Sequence, residues 1–111
     1  MADSMPLLRG TLDILVLKTL SWGPMHGFEI TSWLEARSGG RLSIDDSALL
    51  QALRRMEERD LIEGEWGITE NNRRARYYRM TAEGRAFLKA ERAKLAGYTE
   101  TLASILAART A

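Results

Sequence analysis

Asn71-Asn72-Arg73-Arg74-Ala75-Arg76-Tyr77-Tyr78-Arg79-Met80-Thr81 is the stretch on which the reading of this chain turns. From Asn71 to Met80 it holds four arginines and no acid, whereas the whole 111-residue chain carries 16 basic and 15 acidic side chains. Positive charge is therefore concentrated here, although the net charge of +1 says nothing about a polyanionic partner. The asparagine pair tolerates a left-handed backbone and suits a turn. Upstream, Ile62, Trp66 and Ile68 recur two or four apart, as on one face of a strand. Arg76 to Met80 reads as the return strand, so the run is the tip and second arm of a β-hairpin.

Working outward, the segment from about Asp45 to Arg59 puts Leu49, Ala52, Leu53 and Met56 on one stripe at helical spacing, and leaves Ser47, Leu50, Gln51, Arg54 and Arg55 on the opposite side. Ser43 with Asp46 reads as a capping box at its start. A first helix spans about Leu8 to Trp22 and is apolar on more than one face, so it is expected to meet a second subunit as well as its own core. Gly23-Pro24 ends it. A second helix, near Met25 to Ser38, carries Ile30, Trp33 and Leu34 and stops at Gly39-Gly40. Thr81 caps a last helix that runs to about Ala108, with Glu83 in its first turn. Leu88, Leu95 and Leu102 recur every seven residues, and Tyr98 and Ile105 lie three further on, a coiled-coil-like seam that Glu91 interrupts. Gly97 inside that helix costs about 1 kcal/mol against alanine. Either a close backbone approach offsets this or the helix is weak there. The fold class is mainly α with a small β-hairpin: a winged helix-turn-helix over residues 8–81, then a dimerisation helix over 82–108. A cationic hairpin directly after an amphipathic helix points to double-stranded DNA as the partner.

Other function classes find little support. The absence of cysteine removes disulfides and thiolate metal sites, and a lone histidine, His26, supplies imidazole poorly. No metal and no cofactor is expected. No G-x-S-x-G elbow and no phosphate-cradling glycine loop occurs, so the chain does not read as an enzyme. The apolar run from Leu12 to Leu17 is too short and too polar to cross a bilayer. Met1 to Met5 lacks the basic start and apolar centre of a signal peptide. A soluble, cytoplasmic, single-domain protein is the expectation.

Four motifs carry a resemblance: Gly10-Thr11-Leu12-Asp13-Ile14-Leu15, Trp22-Gly23-Pro24-Met25-His26-Gly27-Phe28-Glu29-Ile30, Ala48-Leu49-Leu50-Gln51-Ala52-Leu53-Arg54-Arg55-Met56-Glu57, and the run from Trp66 to Thr81. Over residues 8 to about 88 the chain resembles the PadR family of bacterial transcriptional regulators. Its short tail resembles the smaller subgroup, in which one long helix makes the dimer. The resemblance implies a homodimeric, operator-binding regulator, usually a repressor, often released by a small molecule. The family usually has tyrosine where this chain has Leu50, and often proline where it has Gln51. That departure bears on the operator sequence more than on DNA binding.

The candidate DNA-binding residues are Ser47, Leu50, Gln51, Arg54, Arg55, Arg73, Arg74 and Arg76. Gln51 can pair with adenine and Arg54 with guanine, while Arg55 suits phosphate. Arg73 and Arg74 lie nearest the hairpin tip and are expected on phosphate or in the minor groove. No acid is expected beside the hairpin arginines, although Arg79, deeper in the strand, equally suits an intramolecular pair. The candidate dimer interface is Leu12, Leu15, Leu88, Leu95, Tyr98, Leu102 and Ile105. Trp22, Trp33 and Trp66 are expected in the core. If the dimer encloses a cavity, Trp33 and Tyr98 are candidates to meet a small apolar or aromatic effector. Asp45 and Asp46 suit helix capping, His26 the start of the second helix, and Tyr77 and Tyr78 must face opposite sides of their strand. Two-fold symmetry predicts inverted half-sites. The rival reading is a ligand-sensing or protein-interaction module on the same scaffold, with DNA contact weakened by the change at Leu50.

Overall fold

The computed structural model describes residues 10–109. Its elements are α1 (Thr11–Leu20), β1 (Met25–His26), α2 (Gly27–Arg37), α3 (Asp46–Glu58), β2 (Ile62–Ile68), β3 (Arg74–Met80) and α4 (Ala82–Ala107). Residues 8 and 9 of the expected first helix, and the Met1 to Met5 segment, lie outside the described residues. No described helix is long and apolar enough to cross a membrane.

The expected stripe of α3 is the stripe that is buried: Leu49, Ala52, Leu53 and Met56 all enter the core. There they meet Val16, Leu17 and Leu20 of α1, Ile30 and Leu34 of α2, and Leu61, Ile62 and Tyr78 at the base of the hairpin. The start of α3 differs from the expected capping box. Asp45 is the cap, its carboxylate accepting from the backbone N–H of Ala48 at 3.2 Å. Ser43 stands too early in the chain to reach a first-turn amide. At α2 the box does form, with His26 as the cap. Its Nδ1 accepts from the Glu29 N–H, and the Glu29 carboxylate accepts from the His26 N–H at 3.1 Å. Gly39 and Gly40 close α2 in left-handed conformation, the Gly40 N–H donating to Glu35 O at 2.8 Å.

The sheet holds one strand more than expected. β1 joins the hairpin, in the order β1-β3-β2, pairing Met25 with Tyr78 and His26 with Tyr77. Two residues are too few to show an alternating pattern. The hairpin register runs from Ile62 opposite Met80 to Ile68 opposite Arg74. Its turn closes as expected, with Asn72 at φ 59°, its N–H donating to Thr69 O at 2.9 Å, and the Thr69 N–H donating to Arg73 O at 2.8 Å.

Thr81 caps α4, its hydroxyl accepting from the Gly84 N–H at 3.0 Å and donating to Asp60 O at 2.6 Å. The first turns of α4 pack on the body through Phe87 and Leu88. Gly84 is the tightest point of that contact: a Cβ there would lie 2.0 Å from the Leu61 carbonyl oxygen. Gly97, by contrast, has nothing among the described residues within 4 Å of a would-be Cβ, so no approach by them offsets its cost. Leu12 and Leu15 are half-buried against the core, and Leu95 is half-buried on α4. Tyr98, Leu102, Ile105 and Leu106 are exposed. A helix of 26 residues is about 39 Å long, and this one outruns the body it packs on.

Candidate nucleic-acid interface

Burial of one stripe of α3 turns the other outward. Ser47, Leu50, Gln51, Arg54 and Arg55 are all exposed. The hairpin stands beside α3, and between the two lies an open groove of about 930 Å³, which of these five residues Leu50 alone lines. Leu50 lines one wall and Arg73 and Arg74 the other, with Tyr77 and Tyr78 at the back. Glu29, Asp46 and Glu70 also line it, so its charge is mixed rather than uniformly basic.

The hairpin is built in three tiers along one face. At the base, Ile62 and Tyr78 are buried and Met80 packs against them. In the middle, Arg76 crosses above Gly64, where a Cβ would lie 2.4 Å from its Nε. It reaches Glu57 on α3, Nη2 to Oε2, at 2.5 Å. At the tip, Arg74 stacks over the Trp66 ring, 4.4 Å from its centroid. Such an exposed stack is worth about 0.5–1 kcal/mol and holds the guanidinium in place without neutralising it. On the opposite face Arg79 pairs with Glu63, directly across the ladder, at 2.8 Å.

These pairs correct the expectation that no acid stands beside the hairpin arginines. Hydrogen bonding to Glu57 raises the pKa of the Arg76 guanidinium, and hydrogen bonding to Glu63 raises that of Arg79. Burial raises the pKa of the Tyr78 phenol, and the charge of Arg76 partly opposes it. Arg55 likewise meets an acid, Asp13 of α1, at 2.9 Å. Among the described residues no carboxylate lies within bridging distance of Arg54, Arg73 or Arg74. The acids were invisible as partners because Glu57 and Arg76 stand 19 residues apart, and Asp13 and Arg55 stand 42 apart.

The aromatic residues also depart from expectation in part. Tyr78 is buried and Tyr77 half-buried, the latter edge-on to His26 with centroids 5.3 Å apart, so the two do face opposite sides. Trp33 is half-buried beneath Arg37, but Trp22 and Trp66 are exposed. Trp66 lies beyond Gly64, where the hairpin has left the body and has no core to enter. Neither Trp33 nor Tyr98 lines the groove. Among the described residues no three His, Asp or Glu side chains gather as a metal site requires.

Comparison with known proteins agrees with this architecture. Residues 16–90 match the family described as "Transcriptional regulator PadR-like family". A PadR family transcriptional regulator from Eggerthella lenta is 30% identical, with a TM-score of 0.77 over 91% of this chain and 86% of its own. A transcriptional regulator from Clostridium thermocellum is 26% identical, with a TM-score of 0.79 over 86% of this chain and 93% of its own. The Bacillus subtilis PadR, solved in complex with operator DNA, shares the fold at 22% identity and a TM-score of 0.65, over 72% of this chain and 45% of its own.

Proposed function

Because this chain belongs to the PadR-like family of transcriptional regulators, we propose that it is a sequence-specific DNA-binding regulator that acts as a homodimer on an inverted-repeat operator. The observation that carries the proposal is the groove. Leu50, on the exposed face of α3, and Arg73 and Arg74, which bridge to no carboxylate among the described residues, stand on opposite sides of one opening. That arrangement suits α3 in the major groove, with Gln51 and Arg54 at base edges, and the tip of the hairpin on the flanking backbone or minor groove. The structurally related Bacillus subtilis protein was solved with operator DNA, which supports the same use of the fold here.

In this proposal residues 8–81 are the DNA-binding unit and residues 82–108 the dimerisation helix. The distal half of α4 leaves Tyr98, Leu102 and Ile105 in solvent, and a second copy of α4, with Leu12 and Leu15 of α1, would cover them. Two-fold symmetry then sets the half-sites about 34–36 Å apart, or a multiple of that. Repression follows by occlusion of the promoter. Release by a small apolar or aromatic effector near Trp33 and Tyr98 would couple to the same dimer.

The test is binding to the DNA upstream of the protein's own gene, measured across salt concentrations. Each phosphate contact contributes about 0.9 log units of affinity per log unit of salt. Arg73→Ala with Arg74→Ala should therefore flatten the slope by about 1.8 per protomer, or about 3.6 per dimer, and weaken binding to all sequences alike. Gln51→Ala should instead relax preference between sequences. A flat salt response in the parent protein, or no preference over random duplex, would return the chain to the sensor or interaction-module reading.

A further inference from the structure

Ser47, Leu50, Gln51 and Arg54 fall at i, i+3, i+4 and i+7 and form one stripe along α3. A duplex that brings base edges to Gln51 and Arg54 must also bring them to Leu50, which sits in the middle of the stripe. Leu50 leaves 52% of its surface in solvent, and Phe28, in the first turn of α2, leaves 77%. Single exposed apolar side chains are ordinary. Here two of them, from different helices, line the same groove. The helices abut at this point, where a Cβ on Gly27 would meet Leu49 Cδ2 at 3.5 Å. Arg73 and Arg74 stand across the groove, whose lining also holds Glu29, Asp46 and Glu70, and Arg54 lies one turn further along α3 from Leu50; these three arginines suit the phosphates on either side of a base edge.

Leucine neither donates nor accepts a hydrogen bond. Pressed against the amino group of adenine or cytosine, or against the guanine carbonyl, it would remove water from a polar edge and return nothing. The 5-methyl group of thymine is the apolar feature that the major groove presents. We propose that Leu50, with Phe28 as the second wall, reads thymine through this methyl group and so sets the base preference at one position of each half-site. The inference rests on DNA binding by α3 as proposed above, and adds to it what the central side chain of the stripe selects.

The experiment uses the full chain and a duplex that it enriches from a randomised pool. Each thymine is replaced in turn by uracil, which deletes the methyl group and leaves the hydrogen-bonding edge intact. At the position facing Leu50 the parent protein should lose about four-fold in affinity for one methyl, and about fifteen-fold when both half-sites lose theirs. Leu50→Ala, at an exposed position that tolerates truncation, should bind the thymine and uracil duplexes equally. Phe28→Ala should narrow the difference without abolishing it. Salt-dependent, sequence-selective binding that is indifferent to uracil at every position would overturn the inference and leave the DNA-binding proposal intact. A thymine preference that persists undiminished in Leu50→Ala would likewise overturn the assignment to Leu50. Failure to enrich any duplex would remove the proposal and the inference together.

Discussion

Gly84 and Gly97 both lie inside α4, and alanine should act on them in opposite directions. On helix propensity alone each Gly→Ala change would stabilise by about 0.8–1 kcal/mol. At Gly97 nothing stands within 4 Å of the new Cβ, so that gain should appear nearly in full. Gly97 is also two residues past Leu95 and one before Tyr98, which turns it away from the apolar seam. At Gly84 the new Cβ would sit 2.0 Å from Leu61 O and 2.9 Å from Met80 Cγ. Relief requires a shift of more than about 1 Å to restore ordinary van der Waals contact. Leu61 O cannot give way freely, because it accepts from the Thr81 N–H at 3.1 Å, and Leu61 itself is buried. Lifting α4 instead would loosen Phe87 and Leu88 from the core. Overpacking against atoms that cannot move costs about 1–3 kcal/mol, and a backbone neighbour puts this site at the upper end. Net of propensity, Gly84→Ala should destabilise by about 2 kcal/mol, or about 8–12 °C in Tm, while Gly97→Ala should raise Tm by about 4–6 °C. The assay is thermal unfolding followed by far-ultraviolet circular dichroism at one protomer concentration, since the proposed dimer would make Tm depend on concentration. A Gly84→Ala variant as stable as its parent would falsify the packing argument. Loss of stability in Gly97→Ala would put a partner backbone against that residue and move the seam.

Two further outcomes follow from the same geometry. Leu95→Asp combined with Leu102→Asp should yield monomers or unfolded chain by size-exclusion chromatography with light scattering; a stable dimer of parental size would mean the seam lies elsewhere. Arg76→Gln should change the salt slope of DNA binding by less than half of what Arg73→Ala does, because Glu57 already holds the Arg76 charge; equal slopes would mean that the pair opens on the duplex and frees Arg76 for phosphate.

What could be read from the sequence was what has a period or a local signature. The buried stripe of α3 repeats with the helix, the asparagine turn needs a left-handed residue, and Thr81 caps the turn that follows it. These are decided within a few residues, and the structure carries all three. At the start of α3 the box headed by Ser43 does not form and Asp45 caps the helix as its type allows, because Ser43, Asp45 and Asp46 all have a side-chain oxygen suited to the task and backbone geometry picks among them. β1 escaped because it is two residues long and owes its place to pairing with β3, a partner some 50 residues away. Trp22 and Trp66 were expected in the core on residue type alone. A tryptophan's burial depends on whether its element still faces the body at that point, and the hairpin has left the body by Trp66. On the candidate site, the exposed face of α3 followed directly from its buried face. Which arginines are paired did not, because it depends on contacts between elements distant in sequence.

That pairing bears on how the interface works, because it separates the number of arginines from the number of available charges. Six arginines lie on α3 and the hairpin, namely Arg54, Arg55, Arg73, Arg74, Arg76 and Arg79, and of these Arg73, Arg74 and Arg76 line the groove. Three of them meet Asp13, Glu57 and Glu63. Arg55 joins α3 to α1, Arg79 joins β3 to β2, and Arg76 joins the hairpin to α3, so the last alone ties the angle between helix and hairpin. Surface pairs of this kind contribute little to stability, but they hold long side chains in one geometry. The three that meet no carboxylate among the described residues lie on the outer face of α3 and at the hairpin tip, where a duplex would arrive. If those three alone meet phosphate, the slope of log affinity against log salt is about −2.7 per protomer and about −5.4 for a dimer, half of what six free arginines would give. A charge count from composition would miss this division. In the proposed complex the near-neutral chain would reach the duplex through these few residues, because Asp13, Glu57 and Glu63 already hold the other three arginines.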